Sequence, residues 1–317
     1  MLFEGSEKKV EIALLPTGPS FRERVRDWRP VVAKARATVL SSISNGYCDA
    51  YLLSESSLFV YDRKLIMITC GTTQLIDAVE EILSHIEPLR IAMLMYERKN
   101  EHFPEEQASH FDDDVVRLKK HLGGEACSFA DADGNRINLF YYKYNFVPPE
   151  GDMTLEMLMH GLSDRAASCF SGGAPALKPL YEQTEIRKLF TGFRCDDYMF
   201  EPMGYSLNGI GGAEYYTIHV TPQSSYSYAS FETNHLFIGD FEGTVRRVLD
   251  IFEPDHFTMV LFERHGLSPV KPEGYFLQGE IVRSLCGYRI CFLTFKRESP
   301  AGVSPTSSCR RKLKGSL

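Results

Sequence analysis

The sequence has little that would mark a secreted, membrane-bound or metal-holding protein. Its eight cysteines stand apart, at 48, 70, 127, 169, 195, 286, 291 and 309, with no Cys-x-x-Cys pair. That excludes the usual spacing of a zinc site, and no metal is expected. A core built from 317 residues needs no disulfides, so scattered thiols fit a reducing compartment. No apolar run is long enough to span a bilayer. The opening stretch, Met1-Leu2-Phe3-Glu4-Gly5-Ser6-Glu7-Lys8-Lys9, carries early acids and no apolar h-region, unlike a secretory signal. The expectation is a cytoplasmic protein without membrane contact. Excess positive charge is missing as well: 35 Lys+Arg stand against 42 Asp+Glu, for a net charge of −7. This argues against a general nucleic-acid binder and weakly favours a cationic small ligand.

What is present is an ordinary globular composition, 44% hydrophobic and 24% charged. Val10, Ile12 and Leu14 alternate with Glu11 and Ala13, as in a strand. Residues 16–30 hold Pro16, Gly18, Pro19 and Pro30 and read as a loop; residues 31–42 read as helical. Residues 51–61 form a central strand, Asp62-Arg63-Lys64 a turn, and 65–69 a second strand. Thr72 or Thr73 is positioned to cap a helix whose stripe is Leu75, Ala78, Val79, Ile82, Leu83 and Ile86. Residues 90–96 read as a buried strand, and Phe111, Val115, Leu118 and Leu122 as one face of a helix. Asp133-Gly134 signals a hairpin. Residues 152–162 and 184–190 read as short helices, 244–252 as a helix before Pro254, and 215–220, 226–233, 257–262 and 288–295 as strands. Strand, strand, helix recurs in both halves, which predicts antiparallel sheets with helices outside. The stretch from Glu298 is rich in Ser and Pro and ends Arg310-Arg311-Lys312-Leu313-Lys314; it reads as a disordered basic tail, 298–317.

The chain turns on Leu53-Ser54-Glu55-Ser56-Ser57-Leu58-Phe59-Val60, a polar knot inside an apolar run. Buried hydroxyls and carboxylates cost roughly a few kcal/mol each when unpaired, so this knot needs partners or a task. Together with Thr69-Cys70-Gly71-Thr72-Thr73, Gly204-Tyr205-Ser206-Leu207-Asn208-Gly209 and Thr217-Ile218-His219-Val220-Thr221-Pro222, it closely resembles the eukaryotic-type S-adenosylmethionine decarboxylase proenzymes. The resemblance runs over residues 3–295. It implies an α+β fold, a four-layer α/β/β/α sandwich of two antiparallel sheets with helices on the outer faces. It also implies one domain over 1–297, self-cleaved between Glu55 and Ser56 into chains 1–55 and 56–317.

The chemistry implied follows from the reaction. An amino-acid decarboxylase must hold two electrons after carbon dioxide leaves, and unmodified side chains cannot. The family makes a covalent pyruvoyl group from the serine after the cut, here Ser56. On the same match His219 is the base for the elimination, and Ser206 supports the oxyoxazolidine intermediate and the proton transfers. A histidine near its ordinary pKa of about 6.5 suits that role. Cys70 is the general acid that protonates the product carbanion. Phe3 and Phe200 are the rings that stack adenine, and Glu4, Leu53 and Glu55 line the substrate pocket. Gln223 departs from the family's Glu at the ribose hydroxyls, so a charge-assisted hydrogen bond is lost there.

Glu11, Asp152, Thr154, Glu156 and Glu232 match the acidic cluster that binds the activator putrescine in animal relatives, and clustered buried carboxylates need a cation. Lys9 stands where plant relatives carry an arginine in place of the diamine, so putrescine activation is open. So is a homodimer, because animal relatives are dimers and plant relatives monomers. Two other readings remain at this stage: a pyruvoyl decarboxylase of ornithine or arginine, and a non-catalytic regulatory paralogue. Phe3 and Phe200 speak against the first, and the retained Glu55, Ser56, Cys70, Ser206 and His219 against the second.

Overall fold

The structure, a computed structural model, describes residues 7–99, 101, 104–223, 226–237, 240–264, 266 and 270–298. Its first half lays down β1 (Lys8–Leu14), β2 (Val39–Ser44), β3 (Cys48–Leu53), β4 (Ser56–Tyr61), β5 (Lys64–Thr69), β6 (Ile91–Lys99), β7 (Glu125–Ala130) and β8 (Arg136–Lys143), with helices α1 (Phe21–Arg24), α2 (Arg29–Lys34), α3 (Leu75–Ser84) and α4 (Phe111–Leu118). The second half lays down β9 (Thr154–His160), β10 (Arg194–Met199), β11 (Tyr205–Gly211), β12 (Glu214–Thr221), β13 (Tyr228–Thr233), β14 (His256–Glu263), β15 (Tyr275–Leu285) and β16 (Tyr288–Arg297), with α5 (Asp164–Cys169), α6 (Leu177–Thr184) and α7 (Phe241–Phe252).

Each half closes its own eight-stranded sheet. The strand orders are β2-β3-β4-β5-β1-β6-β8-β7 and β10-β11-β12-β13-β9-β14-β16-β15. The second order is the first with eight added to every number, so the chain runs the same path twice. No repeat is legible in the residues themselves, because only the apolar pattern and not the identities has to recur.

Alternation along each strand builds three cores from two sheets. Val10, Ile12, Leu58, Val60, Leu65 and Met67 face outward beneath α2 and α3. Met157, Met159, Leu207, Ile218, Phe231 and Met259 face outward beneath α5 and α7. Between the sheets Met93, Met95 and Leu139 meet Leu158, Val260 and Phe292. Nearby Phe59 lies against Tyr215, with ring centroids 4.5 Å apart. The expected four-layer α/β/β/α sandwich is thereby observed. Both faces of β1 are buried: its apolar residues sit under helices, and its alternate residues, Lys9 and Glu11, point into the inter-sheet layer.

Five expectations differ. Residues 51–61 are not one strand but a hairpin, β3 and β4, joined by Ser54-Glu55. The turn carries no Gly or Asn, the usual signal; Ser56 itself takes the positive φ, 131°. The segment 152–162 is not a helix but β9, buried along its whole length. Leu, Met and Glu favour helix locally, and pairing with β13 and β14 overrides them. Of the 31–42 segment only Val31–Lys34, the end of α2, is helical, and from Val39 it enters β2. Of 184–190, Ile186–Lys188 is a single 3-10 turn. Neither Thr72 nor Thr73 caps α3: the cap residue is Gln74, with no side-chain hydrogen bond, and the Thr73 hydroxyl donates to the Cys70 carbonyl at 2.8 Å. Among the described residues, no helix is long and apolar enough to cross a membrane.

Candidate active site

The β3–β4 hairpin places Glu55 and Ser56 at the mouth of a cleft of about 400 Å³. Its walls include Cys70, Phe200, Ser206, His219 and Gln223, so the structure gathers residues from four separated motifs. The Ser56 hydroxyl is buried and has no hydrogen-bond partner among the described residues. The neighbouring Glu55 carbonyl is not free. It accepts from the Cys70 backbone N–H at 3.1 Å and from the Cys70 thiol at 3.6 Å. Two donors thus converge on the Glu55 carbonyl oxygen beside the Ser56 hydroxyl, the arrangement that stabilises a developing oxyanion. The sequence reading gave that task to Ser206. In the structure Ser206 Oγ instead meets His219 Nδ1 at 3.1 Å.

Strand pairing explains the Ser206–His219 contact. Ser206 on β11 lies directly opposite His219 on β12, and side chains of opposed residues share a face. Ser206 is therefore a strand residue, not the turn serine that its glycine neighbours suggest. His219 is buried, and burial with the Lys99 ammonium nearby lowers its pKa to about 3. It does not sit near 6.5 as expected; the ring is neutral at cellular pH and keeps a lone pair. Cys70 moves the other way, since burial and the Glu55 carboxylate push the thiol well above its ordinary range. It is a proton donor and not a thiolate. Burial also raises Glu55.

Phe200 stands at the rim, edge-on to Tyr198 with centroids 4.9 Å apart, and its N–H donates to the Gly204 carbonyl at 2.8 Å. Leu53 is placed elsewhere than its match implies. Its side chain is fully buried in the core beneath the helices and does not appear among the lining residues of the cleft. Phe3 and Glu4, and the tail beyond Glu298, lie outside the described residues.

The acidic cluster lies between the sheets. Lys9 Nζ sits 2.6 Å from Glu156 and 2.9 Å from Glu232, and 5.8 Å over the Phe262 ring. A second lysine, Lys99, reaches the other oxygen of Glu156 at 2.8 Å and that of Glu232 at 3.7 Å. Lys99 also stands 3.8 Å from Glu7, whose carboxylate accepts from Ser230. Sequence reasoning missed Lys99 because Glu97-Arg98-Lys99 reads as the charged end of a strand leaving the core. Lys64 bridges Glu11 and Asp152, at 4.0 Å from each. Asp152 also accepts from the Tyr288 hydroxyl at 2.6 Å. Thr154 lines a residual void of about 10 Å³ beside Lys9, Glu11, Glu97 and Phe262.

Six carboxyl groups and three ammonium groups share this layer, and burial pushes Glu7, Glu11 and Glu97 up. Glu97 rises to about 8 and Glu7 to about 7, both mainly through burial, while Lys9 and Lys99 hold Glu156 down at about 2. The sign for Glu97 follows from linkage. Its folded-state pKa lies above the ordinary 4.5, so its stabilising contribution is complete below that value and is lost as pH rises through about 8. Gln cannot lose a proton. The melting temperature of Glu97→Gln should therefore fall less than that of the parent between about pH 6 and about pH 9. Parallel melting curves for the two proteins would remove Glu97 from the account.

Comparison with known proteins points to one family. A family model described as adenosylmethionine decarboxylase matches residues 1–296. The S-adenosylmethionine decarboxylase proenzyme of Dictyostelium discoideum is 33% identical over 287 residues, covering 83% of this chain and 75% of that protein. The proenzyme of Helianthus annuus is 36% identical over 294 residues, covering 83% and 80%; that of Leishmania donovani is 34% identical over 295 residues, covering 86% and 75%. The crystal structure of the Trypanosoma brucei AdoMetDC-delta26 monomer shares the fold, with a TM-score of 0.63 at 24% identity, covering 76% of this chain and 99% of that one. With the Glu-Ser-Ser hairpin, the thiol and the serine–histidine pair meeting at one cleft, and with the match running over nearly the whole described length, this chain belongs to the adenosylmethionine decarboxylase family.

Proposed function

We propose that this chain cuts itself between Glu55 and Ser56 and then decarboxylates S-adenosyl-L-methionine. The products are carbon dioxide and decarboxylated S-adenosylmethionine, the aminopropyl donor for spermidine and spermine. The observation that carries the reading is Ser56: a buried, unbonded hydroxyl beside a carbonyl that two Cys70 donors already hold. In the self-processing step the Ser56 oxygen attacks the Glu55 carbonyl carbon, and the amide becomes an ester. A base then takes the Ser56 α-proton. The released electron pair forms the Cα–Cβ double bond, the Cβ–O bond breaks, and Glu55 leaves as a carboxylate. His219 with Ser206 is the base pair for that proton. Water then displaces ammonia from the new terminus and leaves a pyruvoyl group on residue 56.

That group supplies a carbonyl electron sink when formed, and an orphaned serine hydroxyl in a positive-φ turn is a fitting precursor. The chain's own residues do the rest. Phe200 offers a ring face to adenine, worth about 0.5–1.5 kcal/mol beyond area burial. Phe3, Glu4 and Glu55 complete the pocket in this reading, without Leu53. Gln223 on the cleft wall replaces a charged ribose contact with a neutral one. Cys70, held protonated, delivers the proton to the product carbon.

In the acid layer Lys9 fills the place of an activating diamine. A void of about 10 Å³ admits no more than one water, whereas putrescine is a four-carbon chain with two ammonium ends. Residues 1–297 act as one unit in this reading, working in the cytoplasm, with 298–317 as a basic tail.

The test is the intact mass of the purified chain and its turnover of carboxyl-labelled S-adenosylmethionine. Two fragments, 1–55 and 56–317, with the larger carrying a ketone in place of its terminal amine, are expected together with release of labelled carbon dioxide. A single unprocessed chain of 36.0 kDa would overturn the proposal, and a processed chain that leaves the substrate untouched would overturn its second half.

A further inference from the structure

Two residues of the quoted motifs, Asn208 and Thr217, have no task in the chemistry above, and both are buried. They oppose each other across β11 and β12, two residues from Ser206 and His219, which also oppose each other. A period of two puts all four on one face, where they meet the hydroxyl of Ser57.

We propose that Asn208 and Thr217 are positioning residues that hold the His219 proton on Nε2, leaving Nδ1, toward Ser206, as the basic atom. The inference rests on the self-processing reading for its consequence but not for its geometry. The donors and acceptors can be followed one by one. Asn208 Nδ2 donates to the Tyr51 carbonyl at 3.0 Å, which fixes the amide's orientation and turns Oδ1 inward. The Ser57 hydroxyl donates to that Oδ1 at 2.6 Å. Thr217 Oγ1 has one proton and three acceptors within reach, His219 Nε2 at 2.9 Å, the Leu207 carbonyl at 3.0 Å and Asn208 Oδ1 at 3.1 Å. Given to either oxygen, the proton leaves the threonine oxygen facing His219 Nε2 as an acceptor. Ser57 Oγ, 3.3 Å from the same nitrogen, has likewise spent its proton. In that arrangement both oxygens around Nε2 accept, and Nε2 donates. A neutral imidazole carries one proton, so Nδ1 is bare and receives the Ser206 hydroxyl at 3.1 Å.

The opposite tautomer requires Thr217 to turn its proton to Nε2 and away from both of its oxygen acceptors. Asn208 has a second consequence. Its amide holds Tyr51 with one arm and Ser57 with the other, so it clamps residues on both sides of the Glu55–Ser56 bond.

The test uses the full chain. In Ser56→Ala, labelled with ¹⁵N-histidine, the His219 signals (identified by their loss in a His219→Gln partner) should show a protonated Nε2 and a bare Nδ1. A proton on Nδ1 overturns the proposal, and this reading needs no change in the network itself. Adding Thr217→Val should redistribute the proton between the two nitrogens, while Thr217→Ser should keep it on Nε2; an unmoved proton in the valine variant also overturns it. With Ser56 in place, Thr217→Val should slow cutting at least ten-fold and accumulate a hydroxylamine-cleavable ester, and Thr217→Ser should restore the rate. Equal rates in the valine and serine variants count against the assignment. A parent chain that never cuts would sink the self-processing reading and leave the tautomer measurement standing, so the two failures are distinguishable.

Discussion

Ser56→Ala should remain a single uncut chain of 36.0 kDa, folded and without decarboxylase activity. The substitution removes one oxygen and leaves the rest of the hairpin in place. The Cys70 N–H and thiol still hold the Glu55 carbonyl, and the Ser206–His219 pair is untouched. With no hydroxyl there is no attack on that carbonyl and no ester for a base to break. The expected effect is complete loss rather than a slower rate. A normally cut alanine variant, seen by mass, would remove Ser56 from the chemistry. The backbone makes a second expectation available. Ser56 has φ of 131°, a region that costs a side chain of order 1–3 kcal/mol, and Ala keeps the Cβ that is strained. Ser56→Gly should therefore also stay uncut and yet melt above Ser56→Ala. Equal melting temperatures would mean that the turn is not strained.

Lys9→Ala should have the largest effect on stability. Lys9 lies between Glu156 and Glu232 at 2.6 and 2.9 Å, with both partners buried. Removing one member of a buried ion pair costs roughly 3–5 kcal/mol, because the remaining charge is stranded. Lys99 on the far side of the same two carboxylates limits the damage, so about 3 kcal/mol is expected. The truncated side chain also enlarges the small void beside Phe262. A diamine added at millimolar concentration has one ammonium for the vacated Nζ position and should recover part of the lost stability and turnover. A denaturant melt matching the parent, or a variant indifferent to the diamine, would show that Lys9 does not carry the charge balance.

How much of this could be read in advance depended on whether the signal was local. The alternation in Lys8–Leu14 was legible and correctly named a strand. That both faces are covered, one by helices and one by charge, was not, because it depends on a sheet contributed by the other half. Glu156 and Glu232 were legible only by resemblance; the segment of Glu156, Thr154–His160, has the composition of a helix and becomes a strand by pairing on both edges. Lys99 was hidden for the same reason. Three charged residues in a row suggest solvent until a second sheet brings Glu156 within 2.8 Å. At the cleft, Ser56, Cys70, Ser206 and His219 were legible because their motifs are specific, whereas the Cys70 donors at the Glu55 carbonyl are a matter of distance.

The weave of the first sheet decides what a cut after Glu55 does to the fold. The fragment 1–55 carries β1, β2 and β3, and β1 is not at an edge: it lies between β5 and β6, bonded to both. β3 remains bonded to β4 across the break. Cleavage therefore costs no strand pairing, and the short fragment cannot leave without opening the middle of a sheet. Refolding is another matter. Before the cut, the chain from Leu15 to Arg63 tethers β1 to β5 at a modest loop-closure cost. After it, the same strand has to be found by collision between two molecules, at the cost of translational freedom. The mature protein would be thermodynamically ordinary but, once fully denatured, slow and concentration-dependent in its return, so its lifetime is set by its unfolding rate.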